Sequence, residues 1–365
     1  MLSSTLKKQY QAVTKKCQYS LVRHPRRSMA EYLQEIIPLA EAYDDPDVYG
    51  EGQVIEDFEQ QVATLLGKEA AVFLPSGTMA QPVALRIWSD RNKSKYVGFH
   101  ATSHLELHEH KGYQALHGLQ SVLLGQPQRV INLGDLQNAT DPLAAVVLEL
   151  PMREIGGQLP DWADLKSQSD WAKQNNIALH MDGARLWQCT EHYEKSLSDI
   201  ADLFDSVYVS FYKDLDGIAG SVLAGPKWFV QAARTWSRRA GGNLSSQYPY
   251  LLAAKAGLEK NLPLMPKMVE TAGLIAEHFN RFEQLKTIPA KPPTCMFHLR
   301  INQSPELLMP KIVAWSERTG VALFGQIKEN HQDNTIFELH INTAALQLTI
   351  EQWRDWIDDF VGEVL

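Results

Sequence analysis

The chain has 365 residues, enough to bury a full core and to divide into two domains. Its apolar content of 44% and charged content of 21% are those of a globular protein, not a disordered or fibrous one. A formal charge of −8 argues against a general nucleic-acid surface, no apolar run is long enough to span a bilayer, and the widely spaced Cys17, Cys189 and Cys295 signal neither a disulfide framework nor a zinc site.

The first 30 residues carry Lys7, Lys8, Lys15, Lys16, Arg23, Arg26 and Arg27 without a single Asp or Glu. Lacking a signal-type apolar core, they read as a retained N-terminal arm rather than a transit peptide. With so few cysteines a reducing compartment fits, and a cytoplasmic location is expected. Met29 to Tyr43 has helical spacing of Met29, Leu33, Ile36, Ile37 and Ala40, so residues 1–43 form an arm and a helix. An acidic turn over Asp44–Glu51 follows, then an amphipathic helix from Val54 to Leu66 with Phe58, Val62 and Leu65 on one face.

Ala70–Leu74 is an apolar strand, and Ser76-Gly77-Thr78-Met79 turns it into a helix. A helix start offers unpaired N–H groups and the positive end of the dipole, both suited to phosphate. Gly77 would let the backbone approach, and the Ser76 and Thr78 hydroxyls would add donors. Taken alone, the segment is better explained as an ordinary N-cap. Tyr96–His100 is the next strand, in a region holding His100, His104, His108, His110 and His117. His104 and His108, at i and i+4, could share a helical face as metal ligands. With no Cys pair and no clear third ligand, no metal site is expected.

Ala144–Leu150 reads as a strand, Gly156-Gly157 as a tight turn and Asp164–Asn175 as a crossover helix leading to a central strand. That strand, Ile177-Ala178-Leu179-His180-Met181, stops at Asp182-Gly183-Ala184-Arg185. A second β-rich run, Ser206-Val207-Tyr208-Val209-Ser210-Phe211-Tyr212, stops at Lys213. The interval from Asp182 to Lys213 holds a strand end, a crossover helix and the next parallel strand. Ionisable residues at the carboxyl ends of neighbouring parallel strands face one crevice, where ligands bind. Spacing alone favours a plainer explanation, a capping Asp and a solvated Lys. A carboxylate and an amine so placed also suit pyridoxal 5′-phosphate (PLP), whose aldehyde forms a Schiff base with Lys and whose ring nitrogen is held protonated by Asp.

Ile218–Ala224 is a further strand, and long apolar-periodic helices over Tyr248–Phe282 mark a change of domain. Thr294–Asn302 alternates as a strand, Pro305–Arg318 is a helix, and Val321–Ile341 gives two more strands. The last helix opens on a capping box from Thr349 to Gln352 and buries Ile350, Trp353, Trp356, Ile357 and Phe360.

The words His-Met-Asp-Gly-Ala-Arg-Leu-Trp over 180–187, followed at this distance by a strand and Lys213, resemble the threonine aldolase/β-eliminating lyase family of fold-type I PLP enzymes. The resemblance covers most of residues 44 to 242. It includes Asp44–Glu51, which matches an Asp-Asp-Val-Tyr-Gly-Glu loop with Pro46-Asp47 inserted, and Ser76–Met79, which matches the phosphate loop. It implies an α/β fold: a mainly parallel sheet in a PLP-binding large domain over 44–260 and a small α+β C-terminal domain over 261–365. It implies Lys213 as the Schiff-base lysine, Asp182 on the ring nitrogen, His104 stacked on the ring with Glu109 as a neighbour, and Ser76, Gly77, Thr78 and Ser210 around phosphate. Arg185 is the implied clamp for a substrate α-carboxylate, which guanidinium matches bidentately.

Several positions depart from the family pattern. Leu150-Pro151 follow Glu149 where polar residues are usual, and Tyr212 precedes the lysine where Ser is common. Asp214-Leu215-Asp216-Gly217 stands where the family reads Gly-Leu-Gly. The basic loop Arg238-Arg239-Ala240-Gly241-Gly242 lacks a following Arg, and Arg238 or Arg239 is the candidate to reach phosphate, in a neighbouring subunit. The small domain offers Arg300 but no Arg within Phe337-Glu338-Leu339-His340. The activity implied is aldol cleavage of L-threonine or a related β-hydroxy-α-amino acid to glycine and an aldehyde, by a homodimer or homotetramer. The rivals are β-elimination or other Cα–H chemistry, which use the same Lys, Asp and Arg, and a non-catalytic PLP-binding protein, which would have no need to keep all three.

Overall fold

The computed structural model describes residues 4–330 and 333–365, and the chain divides into two compact units. One comprises Arg27–Glu154 and Leu159–Pro263; the other takes the described residues up to Arg26 together with Ile155–Gln158 and Leu264–Leu365.

The first unit is built on seven strands: β1 (Ala70–Leu74), β2 (Tyr96–His100), β3 (Gln120–Leu124), β4 (Leu143–Glu149), β5 (Ala178–Gly183), β6 (Ser206–Ser210) and β7 (Ser221–Gly225). Their order across the sheet is β1-β7-β6-β5-β4-β2-β3. All neighbours run parallel except β7, which pairs antiparallel with both β1 and β6. Helices cover such a sheet on both faces, so its inner strands read as continuous apolar runs. Accordingly β4, Leu-Ala-Ala-Val-Val-Leu-Glu, is buried at every position but its last.

The helix Gly77–Asn92 packs on one sheet face, its Val83, Ala84, Leu85 and Trp88 in one core with Val147, Tyr208 and Leu223. A polar seam pins the helix to that face. Trp88 Nε1 donates to Ser206 Oγ at 2.8 Å, and His180 links Ser206 Oγ at 2.7 Å to Gln81 Oε1 at 2.8 Å. Burial pushes the His180 pKa down to about 3, so the ring is neutral and joins the chain as one donor and one acceptor.

Most expected elements recur within three residues at either end: Met29–Ala40, Gln53–Leu65 and Trp162–Gln174 are helices. Two expectations for the first unit need correction. The crossover from β5 to β6 is three short pieces, Leu186–Gln188, Thr190–Tyr193 and Leu197–Asp202; the left-handed Glu194 ends the second, and a capping box at Ser196 starts the third. The strand before Lys213 ends at Ser210, since Gly217 N donates to Phe211 O at 2.8 Å and closes the lysine into a loop.

The second unit holds an antiparallel sheet of β8 (Leu285–Ile288), β9 (Met296–Ile301), β10 (Gln326–Asn330) and β11 (Thr335–His340), ordered β10-β11-β9-β8. Val321–Ala322 forms a further short strand, parallel to Tyr19–Ser20, so three strands stand where two were expected. Residues 331–332 of that expectation lie outside the described residues, as do residues 1–3 of the N-terminal arm. The helix Ile350–Val364 has the expected capping box, and it buries Trp353, Ile357 and Phe360 fully but Ile350 and Trp356 only in part.

Candidate active site

The parallel register sets three polar side chains in one row. Glu149 on β4 is the Cα partner of Asp182 on β5, and Asp182 is the partner of Tyr208 on β6. Residues in register on adjacent strands project to the same face, here the face that carries the helix Gly77–Asn92. Beyond the row the strands end. Leu150 N donates to Asp182 O at 3.0 Å, Arg153 N donates to Glu149 Oε1 at 3.1 Å, and Ala184 N donates to Asp182 Oδ1 at 3.1 Å. Each carboxylate is thus oriented by a backbone N–H of its own following loop.

Lys213 and Arg185 complete the charge cluster. Burial and the Arg185 cation push the Lys213 pKa down to about 8, against the opposing pull of Asp182, Glu149 and Asp214. Burial first, and the Asp182 carboxylate second, push Glu149 up to about 7. Glu149 and Lys213 thus each lie in the field of both Asp182 and Arg185. Asp214 is fully buried, and its Oδ1 lies 3.9 Å from Arg185 Nε. Asp216, the other unexpected acid, is placed elsewhere: it pairs with Arg27 and accepts from Tyr32 Oη at 2.7 Å.

The helix start faces Tyr208. A Cβ on Gly77 would stand 2.0 Å from Tyr208 Oη, so only glycine permits this approach. Ser76 caps the helix by accepting from Met79 N at 3.3 Å, and Thr78 is exposed. The Gly77 and Thr78 N–H groups belong to the first turn, which has no acceptor within the helix. Tyr208 in turn hydrogen-bonds Tyr212, and burial raises both phenols. Ser210, expected near phosphate, is wholly buried and donates its proton to Ala184 O at 2.8 Å.

His104 Nδ1 lies 2.9 Å from Glu109 Oε1, and burial raises the Glu109 carboxyl while His104 opposes that rise. The neighbouring His108 is engaged separately, by Glu154 at 3.0 Å. Arg238 lines a cavity of about 290 Å³ with Tyr49, Glu51 and Gln247, and the Arg239 guanidinium lies 4.7 Å from the Trp236 ring. Arg300 stands on β9 of the second unit.

Sequence reasoning assigned no role to Glu149 or Tyr208. The signal for Glu149 was available, since it ends its strand as Asp182 ends the next one. Tyr208 follows from alternation, lying two residues from Ser206 and from Ser210 on the same face.

Residues 30–302 match the family described as β-eliminating lyase. The low-specificity L-threonine aldolase of Escherichia coli strain K12 is 28% identical over 270 residues, 70% of this chain and 76% of its own length. An alanine racemase of Cochliobolus carbonum is 30% identical over 241 residues, 64% of this chain and 61% of its own. Among solved structures, a candidate L-allo-threonine aldolase of Listeria monocytogenes EGD-E superimposes with a TM-score of 0.94 at 39% identity, covering 98% of this chain and 99% of that one.

Proposed function

The chain belongs to the β-eliminating lyase family, and from that premise we propose that it is a PLP-dependent lyase cleaving L-threonine or a related β-hydroxy-α-amino acid to glycine and an aldehyde. The observation that carries the reading is the cluster of Lys213, Asp182 and Arg185 at the carboxyl end of the parallel strands, on the sheet whose face carries the helix start at Gly77.

The residues fit the cofactor. Lys213 supplies an amine whose pKa near 8 leaves a useful neutral fraction at physiological pH. Asp182 keeps one oxygen on Ala184 N and has a second for a protonated ring nitrogen. The first turn at Gly77 and Thr78, with the Ser76 and Thr78 hydroxyls, would hold the phosphate. Bound there, PLP supplies an electron sink for bonds broken at the substrate Cα.

The chain's own side chains then decide which bond breaks. Arg185 would take the α-carboxylate and so fix rotation about the substrate Cα, which decides the bond presented for cleavage. His104, its Nδ1 engaged by Glu109, is the base for the β-hydroxyl proton, directly or through a water. The relative named as an alanine racemase favours one rival, Cα–H chemistry, over the others. Incubation with L-threonine, L-allo-threonine, serine and alanine separates these readings. Glycine plus aldehyde supports the aldolase, whereas pyruvate plus ammonia, or D-alanine, without glycine would replace it.

The same reading carries a homodimer or homotetramer working in the cytoplasm. The helix Met29–Ala40 leaves Met29 85% exposed and Leu33 and Ile37 each 53% exposed, an apolar stripe that a second copy would cover. No helix among the described residues is long and apolar enough to cross a membrane. Sedimentation showing a fully active monomer would remove the assembly from the proposal.

A further inference from the structure

Asp214 occupies a position where a charge is costly. Its side chain has no exposed surface, and the Arg185 side chain beside it is 12% exposed. The two approach at Arg185 Nε and Asp214 Oδ1, 3.9 Å apart. At such a place Coulomb attraction is screened far less than in water. At that distance the pair is an ionic contact rather than a hydrogen bond, and Nε is its nearest nitrogen, so the terminal Nη groups lie farther from Asp214.

The loop that presents Asp214 is pinned on several sides. Gly217 N donates to Phe211 O at 2.8 Å, and Asn261 Nδ2 donates to Leu215 O at 2.8 Å. Asp216 is tied to Arg27 and Tyr32, while a Cβ on Gly257 would stand 2.2 Å from Leu215 O, so a helix backbone lies directly against the loop. Asp214 is therefore held in place by its loop. Arg185, by contrast, is a long side chain with other anions in reach, since Glu149 also feels its field. An arginine free to turn would satisfy itself on Glu149 and be lost to a ligand.

We propose that Asp214 is a positioning residue: it holds Arg185 from behind at Nε, so that the guanidinium's outer edge stays aimed at the α-carboxylate of the amino acid. This rests on the reading above in which Arg185 is the carboxylate clamp. It gives a purpose to an acid that stands where the family commonly has glycine.

The opposite effect is physically conceivable and makes the sign informative. If Asp214 only neutralised Arg185, its removal would make the pocket more positive and bind carboxylates more tightly. The test is a spectral titration of the PLP-loaded protein with glycine and with methylamine, which shares the amine and lacks the carboxylate. In Asp214→Asn the glycine Kd is expected to rise about 10- to 100-fold, as for loss of a charge-assisted contact, while the methylamine Kd stays within about twofold. Equal weakening of both ligands, no change, or tighter glycine binding overturns the proposal. Should Asp214→Asn not be recovered folded, Asp214→Ser leaves room for a water and is titrated in the same way. Arg185→Ala, titrated alongside, separates the two layers of inference. If it leaves the glycine-to-methylamine ratio untouched, the carboxylate clamp itself is wrong. If it removes the preference while both Asp214 variants keep it, only the role of Asp214 fails.

Discussion

Glu149 and Asp182 are Cα partners on adjacent parallel strands, and the second carboxylate raises the pKa of the first. Glu149 also accepts from Arg153 N, so one of its oxygens is fixed whatever its charge. The pair is a place where charge is stored at the carboxyl edge of the sheet.

From that follows a stability prediction for the cofactor-free protein. Glu149 titrates near 7 folded against an ordinary value of 4.5, so between these two pH values the folded state holds more protons than the unfolded one. Stability contributed by this group is present below about pH 4.5 and is lost as pH rises through 7. The loss is of order 1–3 kcal/mol, allowing for partial solvent contact. Urea unfolding at pH 5 and pH 8 should show a smaller difference in Glu149→Gln than in the native chain. Equal differences would remove Glu149 from the account.

Lys213 has the reverse sign. Its folded value near 8 lies below the ordinary 10.5, so the neutral amine becomes available at a lower pH than for a solvated lysine. Covalent capture of PLP by the cofactor-free protein should speed up roughly tenfold per pH unit up to about 8 and then level off. Borohydride should fix the label on a peptide containing Lys213, and Lys213→Arg should take none. A rate still climbing steeply at pH 10 would mean an unperturbed amine, and a label on Lys227 would mean the wrong lysine.

Much of the fold is legible in the sequence, and for a physical reason. The parallel strands are buried on both faces, so β1, β4, β5 and β6 stand out as apolar runs, and their polar terminal residues are conspicuous. On that basis Asp182 and Lys213 stand out beside a plainer reading as a cap and a solvated lysine, while Arg185 is singled out only by the family resemblance of the words around it. What the pattern did not disclose depended on partners far away in the chain. Asp47, part of an apparent insertion, proves to accept from Gln247 N at 2.8 Å and Tyr248 N at 2.8 Å, orienting the start of a helix two hundred residues later. Asp214 and Asp216 looked alike in the sequence, yet one is sealed beside Arg185 and the other is tied to Arg27. The loop that carries Lys213 past its strand end is held by the Gly217–Phe211 bond, which no periodicity announces.

The approach of Gly77 to Tyr208 makes a third prediction. A methyl at Gly77 would meet Tyr208 Oη at 2.0 Å and Cζ at 2.6 Å. Gly77→Ala should therefore destabilise the protein by about 1–3 kcal/mol, the usual cost of overpacking, and weaken PLP binding because the helix start is displaced. Tyr208→Phe should not rescue it, since Cζ remains too close. Rescue by Tyr208→Phe, followed by thermal unfolding and PLP titration, would show that the hydroxyl alone makes the contact.

The last prediction concerns the proton that must leave the β-hydroxyl. His104 Nδ1 and Glu109 Oε1 are 2.9 Å apart, and the Glu109 side chain is only 3% exposed. A carboxylate on one ring nitrogen fixes the proton there and leaves Nε2 as the basic site, besides holding the ring's orientation. His104→Phe keeps a flat ring for stacking but has no basic nitrogen. It should retain bound PLP and lose turnover of β-hydroxy amino acids by roughly 10²- to 10⁴-fold, the usual worth of a general base. Glu109→Gln, which keeps a partner for Nδ1 but no charge, should cost less, about tenfold in kcat with KM little changed, because the ring is still held while the carboxylate facing it is lost. The two variants together separate stacking from proton transfer. Near-normal turnover in His104→Phe would reduce His104 to a stacking residue and send the search for the base elsewhere in the cluster, first to Glu149.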